Sequence, residues 1–189
     1  AIQAGLCKVA VILYGSTQRS RQERRIFEAH TDLGYQYETP YGLPIPVGAY
    51  ALAASRHMAL YGTKAEHLAE LAVSTRDWAR LNPIAYRREP LTIEDVLNSD
   101  MIASPLHRLD CCLVTDGGGC VVVVSPDIAQ SIPKEPIWLL GQGESHSHAQ
   151  ISEMPELTIT PAKESGERAF KMAGVKHGDL DVVGGGKRN

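Results

Sequence analysis

The sequence predicts a soluble, layered α/β domain, and three observations carry that prediction. Val121 to Val124 is β-branched and apolar on both faces, the composition of an interior strand. Val9 to Leu13 is a second apolar run, closed by Tyr14-Gly15-Ser16, and reads as another buried strand. Between them, Leu68, Leu71, Ala72, Thr75, Trp78 and Ala79 recur at helical spacing. Strands apolar on both faces need helices packed over them, which makes the architecture layered.

Composition bounds the class. With 189 residues and 43% hydrophobic content the chain can bury a sizeable core, and 22% charged residues is ordinary for a globular protein. A formal net charge of -3 gives no electrostatic footprint for nucleic acid. No apolar run reaches the roughly 20 residues of a membrane span. Of the cysteines Cys7, Cys111, Cys112 and Cys120, two are adjacent, poor geometry for a disulfide framework, so a reducing, cytoplasmic compartment is expected. Ala1 to Cys7 reads as the last two turns of a helix without an N-cap, and it lacks the pattern of a signal peptide. Leu180 to Val183 reads as a strand just beginning, cut short by Gly184 to Asn189, so both ends read as severed.

In chain order, Arg19, Arg21, Arg24 and Arg25 follow the first strand, interleaved with Glu23. They suit a solvated loop, an oligomer contact, or a phosphate-bearing cofactor. Residues 35–50, rich in Tyr, Pro and Gly with Pro40, Pro44 and Pro46, predict an irregular excursion. Helix is expected from Ala49 to Met58 with its stop at Tyr61-Gly62, and then from Thr63, whose Glu66 completes a capping box, to Asn82-Pro83. Thr92 and Asp95 cap a short helix through Asn98, and Met101 to Leu109 is turn-rich. Asp116 and Gly117 to Gly119 form a glycine-lined turn where backbone can approach a ligand closely, the first place to look for a site. Ser125-Pro126 opens a helix to about Ser131, Ile137 to Leu140 reads as a buried strand, and Pro161 to Ala173 is the last helix. Its apolar face is Ala162, Gly166, Ala169, Phe170 and Ala173, with Gly174 as its stop.

Few residues suggest chemistry directly. Gly141-Gln142-Gly143 follows a predicted strand, but the third glycine of a dinucleotide fingerprint is missing. His146 and His148 fall on one side of an extended chain, without a nearby cluster to complete a metal site, and a hydrogen-bonded loop pair is expected. Cys7 and Cys120 beside strand starts read as small buried hydrophobes, whereas Cys112 is either structural or a nucleophile. Asp116 is expected to bond backbone amides.

A resemblance adds more. Ala1-Ile-Gln-Ala-Gly5 followed by Val9 to Leu13, then Ala79-Arg-Leu-Asn-Pro83, Leu91-Thr-Ile-Glu-Asp-Val-Leu97 and Pro105-Leu-His-Arg-Leu-Asp-Cys-Cys112 occur in order. Thr115-Asp-Gly-Gly-Gly119 stands where the related proteins have Asn-Asp-Gly-Ala-Ala, and Ala173-Gly-Val175 and Asp179-Leu-Asp181 complete the set. Order and spacing together resemble the thiolase superfamily, in its lipid-transfer-protein or sterol-carrier-type acetyl-CoA acetyltransferase branch.

That resemblance implies a layered αβαβα fold of two similar halves with an inserted loop domain over the acyl-CoA, partly covered by this chain. On that map residues 1 to about 34 finish the first half, 35–112 form the loop domain, 113–134 return to the first half, and 135–189 open the second. The family's nucleophilic cysteine would lie upstream of Ala1, and its oxyanion motif would follow Val183, where Gly184 stands. The family's C-terminal histidine and second cysteine would lie further on, so no catalytic role passes to a residue here. The position before the Asp-Gly turn lines the family's pantetheine channel, which falls on Cys112 and Leu113, where related proteins often have Ser-Gly. The expected function is an acyl-CoA-handling acyltransferase of lipid metabolism. The alternatives are a CoA-linked retro-aldolase of steroid side chains with a small OB-fold partner, or a non-catalytic scaffold subunit. The implied ligand is a coenzyme A thioester as substrate, with no metal, and the implied assembly is a homodimer or higher oligomer.

Overall fold

A computed structural model describes residues 1–21, 33–43 and 46–184. Glu23, Arg24 and Arg25 of the arginine run, Pro44 of the excursion and the terminal stretch 185–189 lie outside them. The elements run β1 (Val9–Ser16), α1 (Gln18–Arg21), α2 (Leu33–Glu38), α3 (Val47–Tyr61), α4 (Ala65–Leu81), α5 (Ile93–Leu97), β2 (Met101–Ala103), β3 (Leu106–His107), β4 (Gly117–Val124), α6 (Pro126–Ser131) and α7 (Ala162–Ala173).

Helix ends are set by local chemistry. Gly62 and Gly174 take the left-handed conformation after α3 and α7 and donate their amides to Met58 and Phe170. Thr92 and Asp95 form the reciprocal box that opens α5: the Asp95 amide donates to Thr92 Oγ1 at 3.1 Å, and the Thr92 amide donates to Asp95 Oδ2 at 2.9 Å. Such a cap stabilises by about 1 kcal/mol. The box expected at Thr63 does not form, because Thr63 Oγ1 is hydrogen-bonded to His57 Nδ1 at 2.8 Å. The cap passes to Lys64, whose amide donates to Nδ1 of His67.

Three expectations change. The excursion over 35–50 holds α2, a 3-10 turn at Thr39–Tyr41 closed by left-handed Gly42, and the first residues of α3. The prolines sit where they can be tolerated: Pro40 is in the first turn of that 3-10 helix and Pro46 is the residue before α3. Ala1 to Leu6 is a turn, not a helix: Leu6 donates to the Ala1 carbonyl, Gly5 donates to Ile2, and Gly5 is left-handed. That paired pattern is the one that stops helices at a glycine. The approach at 101–109 contains a short antiparallel hairpin, β2 on β3.

The core among the described residues lies in the α3–α5 region. Ala69 of α4 and Val96 of α5 are both 0% exposed, Gly48 and Ala51 of α3 are buried, and Ala129 is buried in α6. The α4 stripe divides in two. Leu68, Ala69, Ala72, Val73 and Ala79 turn inward, whereas Leu71, Thr75 and Trp78 face solvent, with Trp78 73% exposed. The long loop after α6 is fastened to the α2–α3 region by the Ser152 amide donating to buried Glu38 at 3.0 Å and by Arg56 against Glu156 at 3.5 Å.

The strands carry the largest corrections. β1 and β4 form a two-stranded antiparallel sheet in register from Val9 opposite Val124 to Ser16 opposite Gly117. Both strands exist as expected, but Ile12 and Val121 are 60% and 59% exposed, because no further layer among the described residues covers either face. Cys120 is exposed with them, not buried. Ile137 to Leu140 and Leu180 to Val183 form no strand: they have strand composition but no ladder partner among the described residues, and Ile137 is 98% exposed. A strand is defined by its neighbour as much as by its own residues.

One ion pair ties the sheet to α6. Lys8 Nζ lies 2.8 Å from Asp127 Oδ2, and this hydrogen bond holds the Asp127 carboxyl down at about 2 and raises the Lys8 ammonium. The sign follows from Asp127 lying below its ordinary 3.8: the pair's contribution is present above about pH 4 and is lost as pH falls toward 2. Melting curves of the wild type and Asp127→Asn are expected to differ by a few degrees at most at pH 6 and to converge near pH 2, since the pair is exposed. A difference that grew on acidification would contradict this.

Candidate functional site

The candidate site lies where the β1–β4 ladder ends. Beyond Ser16 opposite Gly117 the two segments run on, one turning into α1 and the other arriving from the irregular stretch 112–116. Side chains at every second position of extended chain share a face. Tyr14, Ser16 and Gln18 from one segment and Leu113, Thr115 and Gly117 from the other line one cleft of about 210 Å³. Its lining offers phenol, hydroxyl and amide groups beside one apolar side chain.

The glycines serve the ladder. Gly117 to Gly119 lie within β4, not in a turn before it. A Cβ on Gly118 would meet the Tyr14 carbonyl oxygen at 2.9 Å, while Gly117 and Gly119 have open space. The need for glycine is thus at Gly118, where the backbones approach closely.

Asp116 does bond backbone amides, and they belong to the opposite wall. Its Oδ1 accepts from Arg19 N at 2.9 Å and Ser20 N at 3.1 Å, and its Oδ2 accepts from the Ser20 hydroxyl. The Ser20 hydroxyl, followed by the Ser20 amide, pulls the Asp116 carboxyl below its ordinary value. Arg19 lies over the Tyr86 ring at 4.9 Å, so this arginine packs on the segment after α4.

The stretch 112–116 is also fastened at its other end. The 3-10 turn Arg108–Asp110 is closed by the His107 amide donating to Asp110 Oδ2 at 2.8 Å, with His107 Nδ1 3.4 Å from the same oxygen. Cys111 Sγ donates to the His107 carbonyl at 3.4 Å. Of the two residues expected at a pantetheine channel, Leu113 lines the cleft and Cys112 is an exposed neighbour outside its lining. Tyr14, Ser16, Gln18 and Thr115 were not singled out from sequence. Their signal is the two-residue alternation on either side of Gly15 and Gly117, which means nothing until the two segments are known to pair.

The remaining candidates separate. His146 bonds Glu144 at 2.8 Å and His148 bonds Ser147 at 2.7 Å, the loop arrangement expected. Among the described residues no group of three His, Cys, Asp or Glu is placed to hold a metal ion, and no helix is long and apolar enough to cross a membrane. Gly141 and Gly143 seat α7 instead of a phosphate: a Cβ at Gly141 would meet the Ala169 carbonyl at 2.2 Å, and one at Gly143 the Ser165 carbonyl at 1.9 Å. A second, broad groove of about 870 Å³ runs along α4 between Glu70, Trp78 and Arg88.

Comparison with known proteins agrees with this architecture. A family model described as thiolase C-terminal domain-like matches residues 143–184. The solved Ltp2-ChsH2(DUF35) aldolase superposes with a TM-score of 0.82 at 30% identity, covering 95% of this chain and 48% of that one. The fold is therefore a thiolase-like α/β fold. By sequence the chain is 31% identical over 201 residues to a steroid side-chain-cleaving aldolase of Thermomonospora curvata, covering 97% of this chain and 50% of that protein. It is 34% identical over 149 residues to an acetyl-CoA acetyltransferase of Methanothermobacter thermautotrophicus, covering 78% and 39%. The chain is similar to proteins of the thiolase superfamily, among them those of the sterol-carrier type. It spans half or less of the length of these relatives.

Proposed function

We propose that this chain serves a carbon–carbon lyase acting on coenzyme A thioesters, of the kind that shortens steroid side chains by retro-aldol cleavage. The observation that carries this reading is coverage: similarity to the aldolase extends over 97% of the chain, and similarity to the acetyltransferase over 78%. In such a cleavage a thioester bearing a β-hydroxyl loses the bond between its α and β carbons. The hydroxyl gives its proton to a base and becomes a carbonyl, while the bonding electrons pass to the thioester as an enolate, which then takes up a proton. This chain's part is to hold the thioester arm. Leu113 supplies an apolar wall, and Ser16, Gln18 and Thr115 supply polar groups suited to the amides of a pantetheine arm. Cys112 flanks this wall. The thioester reading needs no metal, and a small OB-fold partner and a homodimeric or higher assembly belong to it.

The test is to incubate the protein, with and without an OB-fold partner, with a steroid CoA thioester carrying a β-hydroxyl and to follow products by mass spectrometry. A ketosteroid and a shortened acyl-CoA are expected in equal amounts. Condensation of two acetyl-CoA molecules to acetoacetyl-CoA and free coenzyme A, without steroid cleavage, would favour the acyltransferase, a reading supported by the 34% identity to the acetyltransferase. Partner binding with neither activity would favour a scaffold subunit.

A further inference from the structure

We propose that Asp116 is a positioning residue, whose carboxylate fastens the two walls of the cleft to one another and so sets the space a thioester arm enters. The inference rests on the reading of the cleft given above.

The ladder joining β1 and β4 ends at Ser16 opposite Gly117, and three of the six lining residues, Gln18, Leu113 and Thr115, lie beyond it. Backbone pairing therefore does not hold those three at their separation. At this point one segment turns into α1, whose first amides, like those of any helix, have no partner within it. Asp116 meets two of them, Arg19 N and Ser20 N, and takes the Ser20 hydroxyl as well. Its neighbours Thr115 and Gly117 both line the cleft, so the backbone of one wall is joined to the backbone just past Gln18 on the other.

The strut leaves the cleft open: Thr115 and Gly117 line it, and Asp116 between them does not. Hydrogen bonds to a charged carboxylate are stronger than neutral ones, and the lowered carboxyl of Asp116 keeps it in that form. The other end of the 112–116 stretch is already fixed by Asp110 at His107, so release of Asp116 frees only the end that faces Gln18.

The experiment compares the wild type with Asp116→Ala, Asp116→Asn and Ser20→Ala by two measurements: amide hydrogen exchange, and calorimetric titration with coenzyme A. In Asp116→Ala the amides of Arg19 and Ser20 are expected to lose protection while those of Ile12 and Val121 keep theirs, and coenzyme A affinity should fall roughly tenfold. Asp116→Asn keeps an acceptor for the two amides and should recover most of that loss. Ser20→Ala removes one exposed donor without touching the fold and should weaken binding by about threefold. Unchanged exchange at Arg19 and Ser20 in Asp116→Ala would overturn the strut. Equal coenzyme A affinity in wild type and Asp116→Ala would overturn its role in binding. A wild type that fails to bind coenzyme A would instead remove the thioester reading and with it the binding role, and the exchange measurement would still decide whether the strut exists.

Discussion

Replacing Gly143 with alanine is expected to destabilise the protein by roughly 3 kcal/mol, a large effect for one methyl group. The added carbon would stand 1.9 Å from the carbonyl oxygen of Ser165, in the second turn of α7, and the obstacle is backbone that cannot rotate aside. The helix must tilt away. Tilting strains the bonds that hold it to the loop: Arg168 donating to the Glu144 carbonyl at 2.6 Å, and Ser145 donating to Glu164 at 2.9 Å. Urea denaturation gives the energy, and loss of amide protection along α7 locates it. Gly166→Ala is the matched control, because its Cβ would enter open space within the same helix. It is expected to be neutral or stabilising by up to about 1 kcal/mol. Equal losses at both positions would mean that close approach at Gly143 is not the cause.

Val96→Ala is the second large effect, at about 2–3 kcal/mol. Val96 is fully buried on a helix of five residues that packs against α4 and the turn at Arg108–Asp110. Truncation removes two methyl groups from that contact and leaves a cavity the rigid cap at Thr92 does not let collapse. Chemical denaturation checks it, with exposed Glu94→Ala in the same helix expected within about 0.5 kcal/mol of wild type. A loss below about 1 kcal/mol for Val96→Ala would show that α5 is not part of the cooperative core.

What could be read in the residues follows the range of the interactions concerned. Thr92 with Asp95, Gly62 and Gly174 act on amides or carbonyls within four residues, and the helices they bound lie where the sequence puts them. Thr63 misleads because its hydroxyl is engaged by His57, six residues back, which a capping pattern does not include. Ile137 to Leu140 misleads for a different reason. Its composition specifies an environment, buried and paired, that the described residues do not provide. At the candidate site Asp116 was legible as an amide acceptor, but its acceptance from Arg19 and Ser20 spans 97 and 96 positions. Leu113 was reached through family resemblance, and its cleft partners Tyr14, Ser16 and Gln18 become neighbours through pairing across a similar distance.

The ribbon of β1 and β4 has the composition of segments that pair readily at their edges. Val9 to Tyr14 and Cys120 to Val124 are short, uncharged, proline-free and rich in β-branched residues, and each strand has one edge unpaired among the described residues. Such edges template cross-β stacking between molecules. Lys8 before one strand and Asp127 shortly after the other are the charges placed to resist it, and they neutralise each other across 2.8 Å. Among the described residues, the contact that fastens α6 to the sheet thus also cancels the two charges that flank this end of the ribbon.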